Sequence, residues 1–174
     1  MNKRKITKVS SGLILKDDFN NSFNPLWDFF PNNMKRVLFA KDSILLLPEK
    51  DSPMEMIIPV PNNGEFVMQT ELIYKPTAPN EFAGCLIKSI TDNKVECEIS
   101  YNPDETEQYK FIKISCNSSY IINLRASKDG EIWDDLGNTK FFDGNYIGYF
   151  INGEKSGLAI KECTKESWNQ LFFQ

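Results

Sequence analysis

From residue 64 to residue 75 the chain alternates with a period of two. Phe66, Met68, Thr70, Leu72 and Tyr74 fall on one face, and Val67, Gln69, Glu71, Ile73 and Lys75 on the other. Successive side chains of a strand point to opposite faces, so this pattern marks a strand with one side on a core and one toward water. Residues 94–101 repeat it, with Val95, Cys97, Ile99 and Tyr101 opposite Lys94, Glu96, Glu98 and Ser100. The same reading predicts strands over 13–19, 37–40, 43–47, 54–60, 81–90, 108–116, 120–126, 132–136, 146–151 and 157–163. Between several of them stand Asn63-Gly64, Asp129-Gly130, Asp143-Gly144 and Asn152-Gly153. Such pairs tolerate the positive φ that tight hairpin turns require. About a dozen short strands with turn signals between them make an all-β sandwich or barrel. Helical periodicity is confined to 165–173, where Trp168, Leu171 and Phe172 predict a short amphipathic turn within a C-terminal tail over 164–174. No linker or repeat divides the 174 residues, so one domain over 1–174 is expected, with 1–11 as a flexible basic tail.

Charge narrows the partners. Twenty Lys and Arg against 24 Asp and Glu give a net charge of −4, the wrong sign for a polyphosphate-binding surface. Lys3, Arg4, Lys5 and Lys8 form the one basic cluster, read as a solvated tail rather than a nucleic-acid arm. The apolar Leu13-Ile14-Leu15 that follows is too short for a signal-peptide core, and no run approaches the roughly 20 residues of a membrane span. No nucleic acid, no membrane and a cytoplasmic location are therefore expected. Cys85, Cys97, Cys116 and Cys163 contain no Cys-x-x-Cys pair and read as buried, reduced thiols. Histidine is absent, which excludes Ser-His-Asp and Cys-His nucleophile systems and His-ligated metals. No Gly-rich phosphate loop is present, and no cofactor is expected. Asp17 and Asp18 are adjacent on a strand, so they point to opposite faces and are not expected to share an ion unless a bulge intervenes.

The order of motifs resembles a known superfamily. Leu15-Lys16-Asp17-Asp18-Phe19 followed by Trp27 resembles the opening of concanavalin A-like jelly rolls. Leu72-Ile73-Tyr74-Lys75-Pro76, then Phe82-Ala83-Gly84-Cys85-Leu86-Ile87, is similar to that superfamily's strand, Pro-bearing loop and Ala-Gly strand. Asn123-Leu124-Arg125-Ala126 turns through Asp129-Gly130 toward Trp133, and Tyr146-Ile147-Gly148-Tyr149-Phe150 resembles the penultimate strand. Stand-alone uncharacterised domains of this type and the domains appended to β-xylosidases are the groups it resembles, over roughly residues 13 to 163. The stretch from Phe30 to Asp42 is longer than that pattern. The resemblance implies two antiparallel sheets in a jelly-roll sandwich, with a binding groove on a concave sheet face where there is one. A fold of this kind does not assign function.

Three functions follow. If a groove exists, the polar sides of the central strands line it: Gln69, Glu71, Lys88, Glu96, Glu98, Asn123 and Arg125. Amides, carboxylates and a guanidinium are what a site needs to hydrogen-bond sugar hydroxyls. The first expectation is thus a non-catalytic carbohydrate-binding module with an oligosaccharide ligand; a mixed-charge solvent face is the plainer account of the same residues. The second is a protein–protein interaction or regulatory domain, using the edge near Trp168, Leu171 and Phe172. The third is a carboxylate glycosidase. The resembled β-glucanases carry Glu, Asp and Glu at alternate positions of one strand; here Glu96 falls at the first place, Glu98 stands where the Asp is expected and Ser100 at the third. Glu96 and Glu98 are equally the polar side of a strand with Lys88 or Lys94 nearby. Trp27, Tyr101, Tyr109, Tyr120 and Trp133 are the aromatic platform candidates, with core packing as their default.

Overall fold

The structure, a computed structural model, describes residues 13–17, 19, 23, 25–60, 66–89, 91, 93–104, 108–140 and 146–166, with only the backbone described for 13–17 and 162–166. Its strands are β1 (Leu13–Asp17), β2 (Asp28–Phe30), β3 (Val37–Ala40), β4 (Ser43–Leu46), β5 (Met54–Pro59), β6 (Phe66–Ile73) and β7 (Phe82–Lys88). They continue as β8 (Lys94–Ser100), β9 (Phe111–Cys116), β10 (Ile121–Ser127), β11 (Trp133–Lys140), β12 (Tyr146–Asn152) and β13 (Leu158–Glu166). Each segment predicted from alternation overlaps one of them, and β10, β11, β12 and β13 run past the predicted ends, β11 by four residues. β2 and the short 3-10 turn Met34–Arg36 are additional; the turn lies within the stretch that is long for the resembled pattern, and β2 ends where that stretch begins.

Every pairing is antiparallel, and the strands form two sheets. The larger runs β11-β10-β9-β6-β13-β4-β3, with β1 beside the second half of β13. The smaller runs β2-β5-β12-β7-β8. The chain is a two-sheet antiparallel sandwich. Alternation fixes what lies between the layers: Phe66, Met68, Thr70 and Leu72 from β6 and Ile112, Ile114 and Cys116 from β9 are buried there. Met54, Met56 and Ile58 from β5, Cys85 and Ile87 from β7, and Ile147, Tyr149 and Ile151 from β12 meet them from the other sheet. Burying each of these larger apolar side chains contributes about 1.5–3 kcal/mol. Trp27 belongs to this core, 3% exposed and packed on Tyr149 at 5.7 Å between ring centroids, so it is no binding platform.

Two expectations need correcting. The C-terminal tail does not begin at 164, because β13 pairs with β1 and β6 as far as Glu166. Trp168, Leu171 and Phe172, like the basic tail over 1–11, lie outside the described residues. Among the described residues a two-residue turn lies at a site without a glycine, where Ala40 pairs with Ser43 across Lys41 and Asp42 and Asp42 takes φ +62°, while Asn63-Gly64 and Asp143-Gly144 lie outside the described residues. The Asp129-Gly130 turn spans five residues between Ser127 and Trp133. Asp129 Oδ1 accepts from Glu131 N and Ile132 N, and Ser127 Oγ accepts from Gly130 N. Cys85, Cys97 and Cys116 are buried, and burial pushes the Cys97 thiol up to about 11 with Glu98 adding to the effect.

Candidate functional site

The seven residues expected to line one groove divide between two faces. Gln69 and Glu71 on β6 and Asn123 and Arg125 on β10 point outward from the larger sheet. Lys88 on β7 and Glu96 and Glu98 on β8 point outward from the smaller one. The sandwich core separates the two groups, so no single groove holds all seven. Alternation tells which residues leave the core; it does not tell from which layer.

The outer face of the smaller sheet brings the more varied chemistry together. Its rows follow from the registers. Phe30, Glu55, Phe150, Gly84 and Glu98 form one row across β2, β5, β12, β7 and β8. Asp28, Ile57, Gly148, Leu86 and Glu96 form the next, then Pro59, Tyr146, Lys88 and Lys94. Ile57, Leu86 and Phe150 point away from the core, yet they are buried in a second apolar cluster with Phe82 and Tyr146 against them.

Ion pairs cross this cluster. Glu55 Oε1 lies 2.6 Å from Lys88 Nζ, and its Oε2 lies 2.7 Å from Lys94 Nζ. With strands about 4.8 Å apart, β5 and β8 are separated by about 14 Å. A glutamate and a lysine standing upright on a flat sheet do not close that gap. They meet because the long lysine stems lie across the face rather than standing upright on it. On the register grid Gly148 is the midpoint between Lys88 and Glu55, so a residue without a side chain sits under the crossing. Long aliphatic stems cover apolar surface while their charged ends stay polar, which accounts for the burial of Leu86 and Ile57 on an outer face. Lys88 Nζ also stands 5.7 Å from the centre of the Phe30 ring, and Phe30 is 52% exposed.

The glycines of this face are sterically required. A Cβ on Gly148 would fall 1.9 Å from Met56 O, and one on Gly84 would fall 1.9 Å from Cys97 O. Beside them Glu96 has its pKa raised: partial loss of water leads, Lys94 pulls it back, and Glu98 and Glu55 push it up. This candidate hollow has an apolar floor, an exposed aromatic at one end and a cluster of two ammonium groups and three carboxylates. Such surfaces hold polyhydroxylated ligands, the floor taking the carbon face of a ring and the charged groups its hydroxyls.

Glu55, Phe30 and Tyr146 were missed from sequence. Glu55 had a signal, as the lone charge in the otherwise apolar Met54–Pro59. Gly84 and Gly148, inside buried strands, were a second. Among the aromatic candidates, Tyr101 and Tyr120 are exposed, Tyr109 donates to Asp134 Oδ2 at 2.7 Å, and Trp133 is half-buried on the larger sheet. No group of three or more metal-ligating side chains occurs among the described residues.

No family model matches the chain, and no curated protein is similar to it in sequence. Solved structures do share its fold. It is similar to a xylan β-1,4-xylosidase from Bacillus halodurans C-125 at 13% identity and a TM-score of 0.73, covering 87% of this chain and 39% of the enzyme. A functionally unknown protein from Saccharomyces cerevisiae matches at 14% identity and a TM-score of 0.55, over 81% of this chain and 93% of that one. The binding domain of botulinum neurotoxin DC, solved in complex with SialylT, matches at 10% identity and a TM-score of 0.56, over 91% and 48% of the two chains. The chain thus spans about two fifths of the xylosidase. At these identities the likeness establishes the fold that the motif order implied: a jelly-roll-like sandwich of the type found in xylosidases.

Proposed function

We propose that this domain is a carbohydrate-binding module that takes an oligosaccharide in the hollow of the smaller sheet. The observation that carries the reading is the convergence of Lys88 and Lys94 on Glu55 over the Ile57–Leu86–Phe150 floor, beside the exposed ring of Phe30. Related folds in a xylan-degrading enzyme and in a toxin binding domain support it at the level of architecture. Lys88, Lys94, Glu96 and Glu98 serve as hydrogen-bonding groups, with Phe30 and Tyr146 as the apolar walls. The test is calorimetric titration with xylo-oligosaccharides. Phe30→Ala and Lys88→Ala each weaken binding about tenfold, or about 1.4 kcal/mol. Gln69→Ala on the opposite face leaves it unchanged. Unchanged affinity in both hollow variants refutes the reading.

A second reading has its own observation. Leu26, Phe30, Met34, Leu38 and Phe39 are five exposed apolar side chains within 14 residues, around the edge strands β2 and β3 on one side of the sandwich. A protein partner covering that edge would protect Leu38 and Phe39, which a sugar in the hollow would not reach. Glycoside hydrolysis is the third reading; it requires Glu96 and Glu98 to act as a carboxylate pair. Release of reducing ends, abolished by Glu96→Gln, would favour it over binding alone.

A further inference from the structure

On the outer face of the larger sheet, two cations stand directly opposite each other. Arg125 of β10 pairs in register with Lys113 of β9, and Lys113 pairs in turn with Gln69 of β6. Like charges directly opposite across an antiparallel pair destabilise it. Among the described residues neither cation is in ion-pair contact with a carboxylate. Asp135, the cross-strand neighbour of Arg125 on β11, has Oδ1 engaged by Gly137 N at 2.9 Å. The Lys113 ammonium instead stands 4.5 Å from the centre of the Trp133 ring. Lys113 and Trp133 are two strands apart, so the ring lies across β10, beside Arg125. Asn123 shares this face two residues away from Arg125.

We propose that Arg125 and Lys113 form a second binding site, for the carboxylate of an acidic, uronate-type sugar whose ring lies against Trp133. The guanidinium fork takes the carboxylate oxygens, Lys113 adds a second charged donor, and Gln69 and Asn123 supply amides for hydroxyls. The surroundings set the ligand's charge. Glu71 flanks the site on β6 and Asp135 on β11, and the chain is net −4, so a polyanion is repelled while a single carboxylate is drawn to the central pair. This site lies on the sheet opposite the hollow and does not depend on it.

The test compares an acidic trimer, xylobiose carrying one glucuronate unit and so a single carboxylate, with xylotriose by calorimetric titration at low and high salt. The acidic trimer binds at least tenfold more tightly than the neutral one at low salt, and the preference fades as salt rises. Arg125→Ala and Lys113→Ala each remove that preference, and Arg125→Lys, which keeps the charge and loses the fork, keeps part of it. Phe30→Ala in the hollow, which weakens xylotriose, leaves the salt-dependent part of the acidic trimer's affinity unchanged. Melting temperatures of the exposed-face variants within a few degrees of wild type establish that they fold. Equal affinity for the two trimers, no binding of the acidic trimer, or a preference that survives both alanine variants overturns the proposal. Because xylotriose probes the hollow and the acidic preference probes this face, either site can fail alone.

Discussion

Glu81 offers a test that reads the architecture directly. It precedes β7 and is 1% exposed, yet no cation pairs with it among the described residues. Its Oε2 accepts from Thr77 N and Thr77 Oγ1 and from Ser156 Oγ, and its Oε1 accepts from Lys155 N and Ser156 N. One carboxylate thus joins the loop before β7 to the loop between β12 and β13, one in each sheet. Burial works to raise its pKa, but the hydrogen bonds from Thr77, Lys155 and Ser156 outweigh it and bring it down from 4.5 to about 2. A carboxyl with a depressed folded-state pKa stabilises the fold above its unfolded value and loses that contribution as pH falls toward the folded one. The 4.5-to-2 shift corresponds to about 3 kcal/mol at pH 7, of which about 2 kcal/mol is gone by pH 3. Glu81→Gln cannot ionise, and whichever way its amide is turned the NH2 faces backbone donors, either Thr77 N or the pair Lys155 N and Ser156 N. Urea unfolding at pH 7 should find it about 3 kcal/mol less stable, or roughly 6–12 °C lower in Tm. Between pH 7 and pH 3 its stability should fall about 2 kcal/mol less than that of wild type. Parallel pH profiles for the two proteins would refute the reasoning.

Further expectations come from single sites. Gly148→Ala forces a Cβ to within 1.9 Å of Met56 O and 2.8 Å of Ile57 Cα, so chemical denaturation should find a loss of about 3 kcal/mol or more. Gly137→Ala meets nothing within 4 Å; its φ of +114° alone makes it the milder change, at about 1–2 kcal/mol. Ser127→Ala removes the acceptor for Asp129 N and Gly130 N and should cost about 1–2 kcal/mol in thermal unfolding. Glu96 has a raised folded-state pKa, which disfavours the fold once pH exceeds that value. Glu96→Gln should therefore be the more stable protein at neutral pH, with the difference vanishing in acid.

How much of this was legible beforehand depends on the physics of each feature. Strands with one buried face wrote themselves into the sequence as alternation: Phe66 to Leu72 on β6 and Val95 to Ile99 on β8 fall on the core side as their spacing requires. β2 carried no such mark, because three residues hold less than two periods and Asp28 and Phe30 both face outward. The site was half legible. Lys88, Glu96 and Glu98 were identified by their outward phase, but the same phase brought in Gln69, Glu71, Asn123 and Arg125 from the other layer. Sheet membership is a long-range property: β7 pairs with β12, 58 to 70 residues further along, and nothing local encodes it. Glu55 escaped because its partners Lys88 and Lys94 lie on β7 and β8, two and three strands away across the sheet. Glu81 lay in a Pro-Asn-Glu turn, where a buried carboxylate cage has no periodic signature.

The most direct test of the central claim is amide chemical-shift mapping of the folded chain during titration with xylohexaose. Binding in the hollow predicts that the shifts concentrate at Phe30, Glu55, Leu86, Lys88, Glu96, Gly148 and Phe150, while Gln69, Lys113 and Asn123 stay still. Shifts confined to β6, β9 and β10, or a spectrum unchanged at millimolar sugar, would contradict it.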